Sequence, residues 1–234
     1  MKLKESMDNC KACFNDIFYD NFHALFNSKI NVCSNCIFES NPSFEKFKIN
    51  GIKALSIFEY SDYIKSKIYQ YKKCEDLELN DLFIMPYILE LKTIFDGFSI
   101  IPIPSFVEDD EKRGYNNVIE IFKKLDLEIL NCLKKTENIK QKELDYSKRQ
   151  EIGKYMTIDD VDLTRKKILL VDDVITTGAS MKAAINLIKQ KHPKELKILC
   201  IAHTNLKKED FKIWIKKQLY FSFIWIPLFI MVKL

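Results

Sequence analysis

The densest chemistry in the chain lies in one stretch, Ile168-Leu-Leu-Val-Asp-Asp-Val-Ile-Thr-Thr-Gly-Ala-Ser180. An aliphatic run that ends in two adjacent carboxylates, Asp172 and Asp173, reads as a buried strand delivering acid to its carboxyl end. Thr176, Thr177, Gly178, Ala179 and Ser180 then form a short loop that feeds a helix. Small side chains, hydroxyls and the N–H groups of a helix N-terminus suit a phosphate, and Gly178 lets the backbone come close to it. The two aspartates would repel that phosphate at short range. They belong on a neighbouring group that donates hydrogen bonds, such as ribose hydroxyls, directly or through Mg2+. A sugar with vicinal hydroxyls and a phosphate meets both demands. The stretch has no Gly-Lys-Ser/Thr, so it is not a Walker A loop. The bland alternative is an ordinary helix capped by threonine beside a solvated acid pair.

Cys10-Lys-Ala-Cys13 and Cys33-Ser-Asn-Cys36 are a second constellation, with 19 residues between the pairs. Four thiolates suit tetrahedral zinc, and a closed four-cysteine site leaves no open coordination position, so such zinc is structural. A redox dithiol is the alternative. Cys74, Cys132 and Cys200 read as core or incidental residues. A third pattern is basic and aromatic. Lys65, Lys67, Lys72 and Lys73 interleave with Tyr63, Tyr69 and Tyr71, with no acid from 65 to 73. Lysines that follow a backbone and rings that stack on bases suit single-stranded nucleic acid; a solvated helix face with buried tyrosines gives the same pattern. A looser basic set, Lys134, Lys135, Lys140, Lys142, Lys148 and Arg149, is diluted by Glu137, Glu143 and Asp145. His23, His192 and His203 have no partner pattern.

These groups need elements to position them. The 234 residues have room for one medium domain and a small appendage, and 47% apolar with 30% charged residues excludes a disordered or collagen-like chain. The net charge of +4 (37 Lys+Arg less 33 Asp+Glu) is only mildly basic, so nucleic-acid binding must come from local patches. Residues 1–9 are charged and hold no apolar signal region, and the seven cysteines are an odd number, which points to reduced thiols or metal ligands and a cytoplasmic location. Residues 41–50 read as a linker and 54–58 as a strand. Residues 62–71 read as a helix with Ile64, Ile68 and Tyr71 near one face, and 81–94 as a helix that Pro86 starts or kinks. A strand at 98–103 precedes an acidic loop (Glu108, Asp109, Asp110, Glu111) and a helix opened by Gly114. Residues 134–154 read as polar loop with some helix. The acid-pair strand, a helix through Met181, Ala184, Ile185 and Ile188, and a strand at 196–202 complete an alternation typical of an α/β parallel sheet flanked by helices. The predicted organisation is a cysteine module at 1–45, an α/β domain at 50–204 and an apolar tail at 205–234. The run 219–232 falls short of the ~20 residues of a spanning helix. It reads as a buried terminal segment, a change of reading frame or, as the minority reading, a membrane-surface anchor.

Val171-Asp-Asp-Val-Ile-Thr-Thr-Gly-Ala-Ser180 resembles the phosphoribosyl-pyrophosphate motif of type I phosphoribosyltransferases. The resemblance implies a phosphoribosyltransferase-like fold, Asp172 and Asp173 on the ribose hydroxyls, Thr176 to Ser180 around the 5′-phosphate, and Mg2+ bridging sugar and pyrophosphate. Ile101-Pro-Ile-Pro104-Ser105, Lys112-Arg-Gly-Tyr-Asn116-Asn117, and Lys135-Thr136 followed by Gln141, Leu144 and Arg149 resemble segments of the ComF group of ComFC-like competence proteins. The cysteine pairs complete that likeness, which runs from about Cys10 to Thr204. Tyr115 and Asn117 depart from the usual Phe and Gln. The acidic run before Arg113 is unexpected beside a pyrophosphate, and leaves open a flap that swings away or a site of reduced affinity.

The resemblance implies a role in natural transformation: single-stranded DNA handled in the cytoplasm beside DNA-uptake machinery, with phosphoribosyl pyrophosphate or a similar sugar phosphate as ligand. The lysines 65, 67, 72 and 73 with Tyr69 are then the nucleic-acid residues. The second reading is a working phosphoribosyltransferase acting on an unidentified acceptor. There, Asp172 and Asp173 face the sugar, Pro104 and Ser105 line the ligand, and Arg113 or Arg149 balances the charge of the leaving pyrophosphate.

Overall fold

A computed structural model of the protein describes residues 9–17, 30–105, 110, 113–135 and 156–204. Its central sheet has the order β1-β2-β7-β6-β3. β1 (Pro42–Ile49) and β2 (Ile52–Glu59) are antiparallel, and β7 (Glu195–His203), β6 (Lys167–Ile175) and β3 (Phe98–Pro102) run parallel to β2. The expected parallel sheet is therefore present with one antiparallel edge strand. That strand replaces the predicted linker at 41–50. Ile49 pairs with Ile52 across Asn50-Gly51, and both turn residues have positive φ, 49° and 76°. This is the backbone of a two-residue hairpin whose twist matches the flanking strands, and Asn-Gly is its preferred sequence.

The sheet is covered on both faces, as the aliphatic strands require. Along β6, Leu169 and Val171 join a core with Leu199 and Ile201 of β7 and Ile64, Ile68 and Tyr71 of α2 (Asp62–Lys73). Ile168 and Leu170 join the opposite core with Ile185 and Ile188 of α6 (Ala179–Lys189). On the α2 side, α1 (Ser34–Ser40) carries the second cysteine pair's helix, and the predicted helix over 81–94 is broken into α3 (Asn80–Ile84), a 3-10 turn at Met85–Tyr87 and α4 (Ile88–Ile94). The break falls at Pro86, which has no N–H to continue the helical ladder. The helix expected from Gly114 starts later, as α5 (Asn117–Phe122), because the Asn116 side chain accepts from Ile119 N–H at 2.9 Å and caps it. A short antiparallel pair, β4 (Leu133–Lys135) and β5 (Met156–Ile158), adds a ribbon on the α6 side. The rest of the predicted loop at 134–154, and the tail, lie outside the described residues. No helix among the described residues is long and apolar enough to cross a membrane.

Candidate functional site

The carboxyl ends of β3, β6 and β7 meet at one edge of the sheet. Ile103 N–H donates to Val171 C=O at 2.9 Å, so the Pro104-Ser105 corner leaves β3 beside the acid pair. Thr204, at the end of β7, donates from N–H to Ile175 C=O at 3.0 Å and from Oγ1 to Thr176 C=O at 3.1 Å. These bonds pin the start of the hydroxyl loop. Thr176 and Thr177 are exposed, Gly178 is buried and left-handed with φ 70°, and Ala179 starts α6. The loop predicted to cradle a phosphate therefore sits at a helix N-terminus beside two carboxylates.

Asp173 is withdrawn from solvent and Asp172 is half-buried. Asp173 is buried at 6% exposure, accepts from Val174 N–H at 2.6 Å through Oδ1, and pairs through Oδ2 with Lys72 Nζ at 2.5 Å. Asp172 accepts from Asp173 N–H at 2.9 Å through Oδ1. Burial and the neighbouring Asp173 charge push the Asp172 carboxyl up to about 7, against the pull of Lys72 and Lys135. Burial works against the Lys72 ammonium, but Asp173 and Asp172 outweigh it and hold its pKa above the ordinary value. Lys135 is depressed, by burial first, although Asp172, Asp173 and Asp110 act on it in the other direction.

A polar cluster closes the β3 side. Asp110 accepts from Ser105 Oγ and, at 2.7 Å, from both Arg113 Nη2 and Asn116 Nδ2; Asn116 Nδ2 also reaches Ser105 Oγ at 2.8 Å. The acidic loop therefore places one carboxylate against Ser105 and Arg113 instead of turning that carboxylate away. Arg113 Nε is buried with no hydrogen-bond partner among the described residues. Arg149, the other predicted cation, lies outside the described residues.

The predicted nucleic-acid residues divide by helical angle. Lys65, Tyr69 and Lys73 recur every fourth residue on the outward face of α2, with Tyr69 63% exposed. Lys67 turns to the cysteine module, where its Nζ donates to Ala12 C=O at 2.8 Å. Lys72, half-buried, turns to Asp173 and not to the outward face of Lys65, Tyr69 and Lys73, a correction to its expected place on the basic face. The sequence reading does not tie Lys72 to the acid pair, because that contact is tertiary.

The four N-terminal cysteines converge, with sulfurs all within 4.8 Å of one another. Cys10 Sγ lies 3.8 Å from Cys36 Sγ, and Cys13 Sγ 3.7 Å from Cys33 Sγ. Four sulfurs ~2.3 Å from a tetrahedral zinc stand about 3.8 Å apart, so the donor set and spacing fit that ion. Ala12 and Cys33 N–H groups donate to Cys10 Sγ. Burial opposes its ionisation, but these donors bring its pKa down to about 7.

Residues 134–227 match the family model of the phosphoribosyl transferase domain, a span that runs past the last described residue. The chain is 28% identical over 147 residues to Competence protein ComFC of Streptococcus pneumoniae (strain ATCC BAA-255 / R6), a match covering 63% of this chain and 66%, just under two thirds, of that protein. Similar solved structures include a hypoxanthine-guanine phosphoribosyltransferase from Bacillus anthracis (15% identity, 63% of this chain and 76% of that one, TM-score 0.36). Another is a purine phosphoribosyltransferase from Pyrococcus horikoshii (18% identity, 58% and 92%, TM-score 0.33). The stretch with the acid pair and hydroxyl loop is thus similar to a phosphoribosyl transferase domain, it is joined to a four-cysteine cluster, and the chain resembles the ComF group of competence proteins.

Proposed function

We propose that the protein handles incoming single-stranded DNA in natural transformation, in the cytoplasm and beside the uptake machinery, and that its second ligand is Mg2+-phosphoribosyl pyrophosphate. The observation that carries this reading is α2. One helix presents Lys65, Tyr69 and Lys73 outward, ties itself to the cysteine knuckle through Lys67, and reaches the acid pair through Lys72. A strand lying on that stripe would pass between the cysteine module and the sugar-phosphate site. Three parts follow: a zinc-bound module at 1–45, the phosphoribosyltransferase-like domain at 50–204, and a tail at 205–234. At the sugar site, Thr176 to Ser180 receive the 5′-phosphate, the acid pair faces the sugar, and Pro104 and Ser105 flank it. Arg113 or Arg149 balances the charge of the leaving pyrophosphate.

Fluorescence anisotropy of a labelled single-stranded oligonucleotide tests this, at two salt concentrations, with and without Mg2+ and phosphoribosyl pyrophosphate. We expect micromolar or tighter, salt-sensitive binding. Removing Lys65 and Lys73 together flattens the log–log salt dependence by about 1.4, since each single-strand phosphate contact contributes ~0.7. Tyr69→Ala costs roughly 1–3 kcal/mol if a base stacks there. No binding at low salt refutes the DNA reading. An active phosphoribosyltransferase is the second reading, favoured by the buried unpartnered Arg113 Nε beside Ser105. Pyrophosphate release against a panel of bases, abolished by Asp172→Ala with Asp173→Ala, would support it.

A further inference from the structure

Three donor side chains converge on one carboxylate at the β3 side of the site. Asp110 Oδ1 accepts from Arg113 Nη2 at 2.7 Å. Its Oδ2 accepts from Asn116 Nδ2 at 2.7 Å and from Ser105 Oγ. The Asn116 amide is oriented from its other end: Oδ1 accepts from Ile119 N–H to cap α5, so Nδ2 is the atom left to face Asp110. Ser105 is held in place by the corner that leaves β3 beside Val171. The Arg113 and Asp110 side chains are 16% and 24% exposed, so the cluster is largely withdrawn from solvent. It is not saturated. Arg113 Nε is buried with no hydrogen-bond partner among the described residues, which leaves the guanidinium with a donor that the carboxylate does not use. A guanidinium, an amide N–H and a hydroxyl around one anion are also the donors that a phosphate takes. The cluster adjoins the acid pair, since Lys135 feels Asp172, Asp173 and Asp110 together.

We propose that Asp110 is an internal stand-in for a phosphate: its carboxylate occupies the anion seat formed by Ser105, Arg113 and Asn116, and a phosphate group of the ligand binds there by displacing it. This rests on the proposed sugar-phosphate function and adds a regulation to it. With Asp110 in place the Arg113 charge is neutralised inside the protein. An arriving phosphate has to break that ion pair and then meets the released carboxylate as a like charge, in a partly buried site where charges are poorly screened. The Asp110 backbone stays where it is, because its C=O accepts from Gly114 N–H at 2.7 Å within the turn that carries Arg113. A change of the Asp110 side-chain rotamer vacates the seat. The device selects by number of contacts. A ligand that also engages the hydroxyl loop has further interactions to set against the displacement, and free pyrophosphate does not.

The test is calorimetric titration of the full chain with Mg2+-pyrophosphate and, in parallel, with Mg2+-phosphoribosyl pyrophosphate. Asp110→Asn keeps the shape of the side chain and removes its charge. It should tighten pyrophosphate about tenfold, the order of one charge-assisted hydrogen bond no longer competed for. Most of that gain should disappear when Arg113→Gln is added, because the contested cation is then gone. A purely structural ion pair predicts the opposite: Asp110→Asn lowers the melting temperature and leaves pyrophosphate affinity unchanged or weaker, which overturns the proposal. An equal gain with and without Arg113→Gln overturns it too, by reducing Asp110 to a repelling charge at a distance. If the wild type binds phosphoribosyl pyrophosphate and Asp110→Asn changes neither ligand, this assignment alone falls and the sugar-phosphate reading stands. If neither the wild type nor the variant binds phosphoribosyl pyrophosphate, the sugar-phosphate reading falls and this assignment falls with it.

Discussion

At the scale of single residues, the acid pair divides the legible from the illegible. Asp172, Asp173 and the hydroxyls after them stand out because their types and order suit a sugar phosphate wherever a strand meets a helix. Lys72 does not stand out: it lies in a helix crowded with lysines, and only the chain's return through β6 makes it different from Lys73. The environment of Asp172 has a measurable consequence. Burial, then the Asp173 charge, push its pKa up to about 7. A carboxyl raised on folding binds its proton more tightly in the folded state, so stability is greatest at low pH and declines as pH climbs through the folded value. Between pH 6 and pH 8.5 a pKa near 7 withdraws about 1 kcal/mol, or roughly 2–4 °C in melting temperature for a chain of this size. Asp172→Asn should remove that slope and melt higher than the wild type at pH 8.5. Parallel wild-type and variant curves across this window would show that Asp172 does not titrate there.

At the scale of elements, strands with four or more aliphatic residues and helices with clean periodicity were readable, and segments with mixed signals were not. The β1 segment opens with Asn41-Pro-Ser and contains three charged side chains, Glu45, Lys46 and Lys48. That composition masks the period-two alternation of Phe47 and Ile49 with Lys46 and Lys48, although Asn50-Gly51 already marks the hairpin. Position 114 misled in the opposite sense, because the cap that starts α5 is Asn116, two residues on. Gly178 was readable for the right reason. Its φ of 70° at the N-cap of α6 is a conformation that costs an L-residue about 1 kcal/mol or more. Gly178→Ala should therefore lower stability by about 1 kcal/mol in urea unfolding and weaken ribose 5-phosphate binding, since the loop must rearrange to relieve the strain. Unchanged affinity in a variant of normal secondary structure would remove the loop from the ligand site.

At the scale of the whole molecule, the cysteine cluster is joined to the sheet domain and not merely appended to it. Cys10, Ala12, Ile17, Ile30, Val32 and Cys36 belong to the same core as α2, β2 and β7. Polar contacts cross the same boundary: Lys67 Nζ to Ala12 C=O at 2.8 Å, Lys11 to Glu78 at 2.8 Å, and Asn31 Nδ2 to Asp81 Oδ2 at 3.4 Å. Asp81 in turn pairs with Lys124 at 2.5 Å. A knuckle of this size has too little apolar surface to hold its shape unaided, so zinc would supply the folding free energy of the cluster. Helix α2 then couples two sites, resting on the knuckle through Lys67 and reaching the acid pair one turn later through Lys72. Cys10→Ser with Cys13→Ser should reduce bound zinc from one per chain to near zero. It should also lower the melting temperature and raise amide hydrogen exchange in α2 more than in α6, which contacts no cysteine of the cluster. Zinc content equal to the wild type would refute the metal assignment. Loss of zinc with α2 protection unchanged would refute the coupling alone, leaving the knuckle as a separate folding unit beside the sugar-phosphate site.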